Sequence, residues 1–125
     1  MKVTKLKAIR GKMPVRKTTE KTIMQQIRYA LNMYGWYVFR VPPSIYGEKG
    51  LCDLIAIKNG LTIFIEVKTF KDKQSDDQKI FESRIKNAGG IYILARSLED
   101  VEWLFQADLS AQADVSVNRA GKIGG

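Results

Sequence analysis

Residues 51–68 constrain this chain more than any other stretch. They read Leu-Cys-Asp-Leu-Ile-Ala-Ile-Lys, then Asn59-Gly60, then Leu-Thr-Ile-Phe-Ile-Glu-Val-Lys. Two β-prone runs flanking an Asn-Gly pair are the signature of a hairpin closed by a two-residue type I′ turn. Such a turn sets the register. Lys58 opposes Leu61, Ile57 opposes Thr62, and the count ends with Asp53 opposite Glu66. Directly opposed residues share a face, with Cβ atoms roughly 4.5–5.5 Å apart. Alternation then brings Lys68 onto the face of Glu66.

On this register Cys52, Leu54 and Ala56 face Val67, Ile65 and Ile63 on one side of the ribbon, while Ile55, Ile57 and Phe64 line the other. A ribbon apolar on both sides belongs in the middle of a covered sheet. Opposed carboxylates repel there, and burying them unpaired costs roughly several kcal/mol per ion. A bound divalent cation removes the conflict, and an aspartate with a glutamate is the hard-oxygen set that Mg²⁺ or Mn²⁺ prefers. Lys68 adds a positive point charge beside them. Taken singly, each residue has a plain structural reading: Asp53 as a loop residue where the strand begins, Glu66 and Lys68 as the solvated face of an edge strand. Their shared face favours the metal site.

Composition narrows the chemistry. The chain has 125 residues, one cysteine and no histidine. It is therefore expected to be one domain without an intrachain disulfide. Zinc sites of the usual nitrogen or sulfur ligands and histidine-based triads are set aside. No apolar run of membrane-spanning length and no secretory signal pattern is present, so an intracellular protein is expected. The net charge of +8 is concentrated at the start: residues 1–17 hold seven Lys or Arg and no acid. A basic arm on a nearly neutral globule points to a polyanion, nucleic acid first, with a solubilising tail as the plain alternative.

Along the chain, Thr18 or Thr19 is expected to cap a helix running to about Tyr34, with Gly35 as its stop. Its apolar stripe is Ile23, Met24, Ile27 and Leu31, and Glu20 lies on that stripe. Glu20 is either aimed at a positive group or complements the helix dipole in water. A strand over 36–41 ends at Pro42-Pro43, and loop 42–50 leads into the hairpin carrying Tyr46 and Lys49. After Lys68 comes a polar loop with Lys71 and Lys73. Ser75-Asp-Asp-Gln78 is a capping box opening a second helix, although Gln78 also shares that helix's inner stripe with Phe81 and Ile85. Gly89-Gly90 ends it, residues 91–95 form a fourth strand, and Ser97 caps a short helix bearing Leu98, Val101, Leu104 and Phe105. The divisions are an arm at 1–17, a globular domain at 18–105, and a tail or dimerisation extension at 106–125.

This order, with Asp53 and Glu66-Val67-Lys68 on facing strands, resembles the PD-(D/E)XK nuclease superfamily. Within it the chain is most similar to the virus-type replication-repair nuclease (VRR-NUC) domain. The positions that carry the resemblance are Glu20, Gly50-Leu51-Cys52-Asp53-Leu54, Ile65-Glu66-Val67-Lys68, Lys71 and Lys73, and Gln78. Cys52 stands where proline is usual, and its side chain is expected on the face away from the carboxylates. The resemblance implies an α/β fold with a restriction-endonuclease-like αβββαβ core, a mixed central sheet flanked by helices. It implies that Asp53, Glu66 and the Val67 carbonyl bind Mg²⁺ or Mn²⁺, and that Glu20 serves a second metal or a metal-bound water. Lys68 would position or activate the attacking water, and Gln78 would orient Lys68 or the scissile phosphate. The implied protein is a homodimeric DNA endonuclease of phage or bacterial type, selective for branched, junction or flap DNA. Lys71, Lys73, Lys49, Tyr46, Arg16 and Lys17 are its candidate DNA contacts. A Holliday-junction resolvase or restriction-like nuclease is the nearest alternative, and a non-catalytic DNA-binding module is the alternative from another class.

Overall fold

The computed structural model describes residues 18–43 and 47–106. Helix α1 (Glu20–Met33) is followed by β1 (Tyr37–Arg40), β2 (Leu54–Lys58) and β3 (Leu61–Val67). Helix α2 (Asp76–Asn87) then leads to β4 (Ile91–Ala95), a 3-10 turn (Leu98–Val101) and the short α3 (Trp103–Gln106). The sheet order is β1-β2-β3-β4, antiparallel over the first three strands and parallel between β3 and β4. The meander with one helical crossover is thus the expected mixed α/β core. Among the described residues no helix is long and apolar enough to cross a membrane.

Local signals act where the sequence places them. Thr19, not Thr18, caps α1: its side chain accepts from the Thr22 N–H. Gly35 follows the C-cap at φ +89°, a conformation that costs glycine nothing. Asn59 and Gly60 both have positive φ, as a type I′ turn requires. Lys58 donates to the Tyr34 carbonyl and so ties the hairpin turn to the end of α1. Ser97 makes no side-chain cap; the Asp100 carboxylate accepts from the Arg96 N–H instead, and Leu98, Val101, Leu104 and Phe105 are buried as expected.

The two faces of the sheet differ. Under α1 and the C-terminal turns lies the main core, built on Ile23, Ile27, Leu31, Leu54, Ile63, Ile65, Val67 and Leu104. Under α2 lies a smaller cluster of Cys52, Phe81 and Tyr92, with Ile55 and Phe64 against it. That second face is covered only toward β4, and Ile57 and Tyr37 stay exposed near the turn.

The hairpin register holds from Lys58–Leu61 to Leu54–Ile65, but it does not continue to Asp53 opposite Glu66. The Asp53 N–H donates to the Ile65 carbonyl (3.0 Å), one residue out of step, while the Asp53 carbonyl still accepts from Val41 (2.8 Å). Alternation therefore breaks at β2's start. Cys52 corrects the expectation in the same way: it packs with Phe81 and Tyr92 on the α2 face, not with Leu54 and Ala56.

Candidate metal and phosphodiester site

Breaking the ladder frees a donor for Asp53. In a parallel pair one residue is flanked by two on its neighbour, and here Ala95 is the flanked one, accepting from the Lys68 N–H (3.0 Å). Val67 therefore turns its own N–H and carbonyl away from β4. The N–H meets Asp53 Oδ2 at 2.7 Å, a charge-assisted bond that substitutes for the missing ladder bond. The Val67 carbonyl lies along that same edge.

Glu66 is the only buried charged side chain among the described residues, at 2% exposed. Its Oε2 accepts from Gln78 Nε2 at 2.9 Å and lies 3.9 Å from Lys68 Nζ. Its Oε1 is buried with no hydrogen-bond partner. Burial first, and then the neighbouring Asp53 carboxylate, push the Glu66 carboxyl up to about 8. A buried acceptor without a donor, beside a second carboxylate, is the environment that a divalent cation satisfies. Among the described residues no three His, Cys, Asp or Glu side chains converge. The donor set is therefore two carboxylates with the Val67 carbonyl, and the residues present fit a hard cation held partly by water.

Gln78 closes the expected capping box, but its amide nitrogen meets Glu66 rather than Lys68, the partner the resemblance implied. Its side-chain oxygen accepts from the Ser75 N–H (2.8 Å), closing the capping box, while its Nε2 holds Glu66. Gly50 makes this possible. It has φ +72°, and a Cβ there would lie 2.3 Å from the Asp77 backbone. The loop before Asp53 is thus pressed against the first turn of α2, and Glu48 pairs with Arg84 to pin it there.

Glu20 sits at the rim, outside any group of three carboxylates with Asp53 and Glu66. Its pKa is raised by burial and by a hydrogen bond with Asp72, while the positive charge of Lys68 opposes the rise. Of the two readings open for Glu20, a positive group or the helix dipole, the influence of Lys68 agrees with the first, and the acidic neighbour Asp72 belongs to neither. Asp72 in turn is lowered, first by a hydrogen bond from Thr69 and then by Glu20. Asp72, Thr69 and Arg96 were not singled out from sequence. Arg96 follows β4, and only the parallel register of β4 on β3 carries it beside the loop after Lys68. The Thr69-x-x-Asp72 spacing was the one local signal, a side-chain-closed turn.

Lys71, Lys73 and Lys49 are exposed on the two loops that flank the site. Tyr46, Arg16 and Lys17, with the arm and residues 107–125, lie outside the described residues. Cys52 is an unpaired thiol that burial pushes up to about 11, which leaves it inert as a nucleophile.

The model of the archaeal Holliday junction resolvase (Hjc) family matches residues 17–120. A solved structure described as a VRR_NUC domain superposes with a TM-score of 0.63 at 22% identity, over 74% of this chain and 99% of that one. At that identity the likeness shows a shared fold. No curated protein is significantly similar to the chain. The family match spans nearly the whole chain and includes the hairpin, Gln78 and the lysine loop, so the chain belongs to the archaeal Holliday junction resolvase family, a PD-(D/E)XK-like nuclease group.

Proposed function

We propose that this protein is a divalent-metal-dependent endonuclease that hydrolyses phosphodiester bonds in four-way DNA junctions. The observation that carries the reading is the buried Glu66 with its unpartnered Oε1, set beside Asp53 and 3.9 Å from Lys68 in a chain of this family. Asp53, Glu66 and the Val67 carbonyl would hold Mg²⁺ or Mn²⁺, and the ion when bound supplies Lewis acidity toward the phosphate and acidifies water. The chain's own residues do the rest. Asp53 is locked by the Val67 N–H, and Glu66 by Gln78, so neither carboxylate must reorganise on binding. The Lys68 ammonium stands where it can hold the attacking water and meet charge growing on the nonbridging oxygens. Glu20, across Lys68, orients water at the rim.

Lys71, Lys73 and Lys49 supply phosphate contacts that position DNA without reading sequence. Arg16, Lys17 and Tyr46 extend that surface in this proposal. In this reading residues 18–105 form the catalytic unit, with 106–125 as a tail or dimerisation extension. Two copies about a two-fold axis would present two sites to a two-fold-symmetric junction.

The test uses a labelled four-way junction, a splayed arm and a plain duplex, each with Mg²⁺, Mn²⁺ or EDTA. We expect cutting of the junction that requires metal and falls by roughly 10³-fold or more in Glu66→Ala, the several kcal/mol a metal site supplies. A splayed arm cut in preference would move the protein to a flap-type nuclease. Binding without cutting in any metal would replace the enzyme with a DNA-binding module.

A further inference from the structure

Phe70 is the most exposed large apolar side chain among the described residues, at 88%. It lies two residues beyond Lys68, and nothing in the chemistry above uses it. Its loop is held firmly. Arg96 Nη1 donates to the carbonyls of Thr69 (2.6 Å), Phe70 (3.4 Å) and Asp72 (2.6 Å). Thr69 Oγ1 donates to Asp72 Oδ2 (2.7 Å), and the Asp72 N–H returns to the Thr69 carbonyl (3.3 Å). A guanidinium suited to phosphate is here turned onto main-chain carbonyls, and the result is a fixed tip that presents one ring.

The ring borders a groove of about 800 Å³ that it shares with Glu20, Lys21, Lys71, Asp72 and Arg96. Lys71 beside it and Lys73 beyond are exposed, and the Asp72 carboxylate, also exposed, accepts from Thr69 within the loop. An aromatic face flanked by cations, next to a phosphodiester site, matches what unstacked nucleic acid offers: a base face between phosphates. A continuous duplex has no free base face. A branch point does, because stacking is interrupted there.

We propose that Phe70 stacks on a base exposed at the branch point of the DNA, and so determines selectivity for branched over continuous duplex. The proposal rests on the nuclease reading above. Affinities of the full chain for a fluorescein-labelled immobile junction and for a linear duplex of the same arm sequence would be measured in EDTA. Wild type, Phe70→Ala and Phe70→Trp would be compared, with light scattering and melting of each. The ring is exposed, so Phe70→Ala should fold as wild type does. We expect Phe70→Ala to weaken junction binding by about 10-fold or more, with duplex binding within about twofold and Phe70→Trp near wild type. An equal loss on both DNAs, no loss on either, or a changed oligomeric state in Phe70→Ala would overturn it. Wild-type cutting of the junction in Mg²⁺, run in parallel, separates the two readings. If wild type cuts and prefers junctions while Phe70→Ala matches it, only this inference fails; if wild type does neither, both fail.

Discussion

At the turn end of the β2–β3 hairpin, every pair from Lys58–Leu61 to Leu54–Ile65 keeps one register. At the open end the ladder stops, and a side chain does what a backbone carbonyl would have done. The turn end is determined by two residues with positive φ and little around them; a Cβ on Gly60 would meet nothing within 4 Å. The open end is shaped by four elements at once: the loop before β2, the ends of β3 and β4, and the first turn of α2. One end holds the fold in register. The other spends regularity to gather Asp53, Val67, Glu66 and Gln78, and keeps a buried acid with an unsatisfied oxygen.

The contrast is broken most severely at Gly50. In Gly50→Ala the new Cβ must displace the Asp77 backbone from 2.3 Å while the residue stays at φ +72°. Overpacking and left-handed strain together cost roughly 2–4 kcal/mol. We expect a melting temperature lower by on the order of 10 °C, with cleavage falling as Gln78 shifts from Glu66. Circular dichroism melts and junction cleavage check this, and a variant as stable and active as wild type would show that the close approach is unimportant.

Glu66→Gln sharpens the contrast from the other side. The folded Glu66 carboxyl, at about 8, lies above its ordinary 4.5, so the metal-free folded state binds more protons than the unfolded chain between those values. The associated stability is fully present below about 4.5 and is lost as pH rises through about 8. In EDTA at pH 8.5, Glu66→Gln should melt above wild type, by roughly 4–8 °C for each kcal/mol relieved. The advantage should vanish near pH 4.5, and Mg²⁺ should raise wild type and not the variant. An equal gain at both pH values would mean that packing, not charge, is responsible.

The smallest effect belongs to the turn. Gly60→Ala at φ +81° meets open space, so only left-handed strain of about 1–2 kcal/mol applies. We expect a few degrees lost in melting and cleavage unchanged. Impaired cleavage in a folded Gly60→Ala protein would show that the two ends are coupled.

Much of this was legible in advance, for reasons that differ residue by residue. Asn59-Gly60 announced the hairpin because few other pairs accept two positive φ values. Ser75 and Gln78 announced the start of α2 because a capping box is local chemistry. The preferred reading was a VRR-NUC domain with a junction resolvase behind it; the fold match is to the first and the family match to the second, within one nuclease group. Extending strict alternation as far as Cys52 failed. A charged acceptor outcompetes a ladder carbonyl, so the pattern that holds for aliphatic pairs ends where a carboxylate can reach a main-chain N–H. Ser97 makes no side-chain cap, and the nearby carboxylate of Asp100 binds the Arg96 N–H, a different donor.

The sequence by itself determined the order of elements, the hairpin register from Lys58–Leu61 to Leu54–Ile65, the apolar face of α1 and the capping box of α2. Each of these follows from spacing along the chain or from intrinsic backbone preference. Tertiary structure alone decided the rest. Which oxygen of Glu66 is left bare and how Gly50 presses the loop depend on where α2 packs, and Arg96 reaches the loop after Lys68 because β4 lies parallel to β3. That register closes through a long crossover with no turn to set it, so no local signal along the chain encodes it.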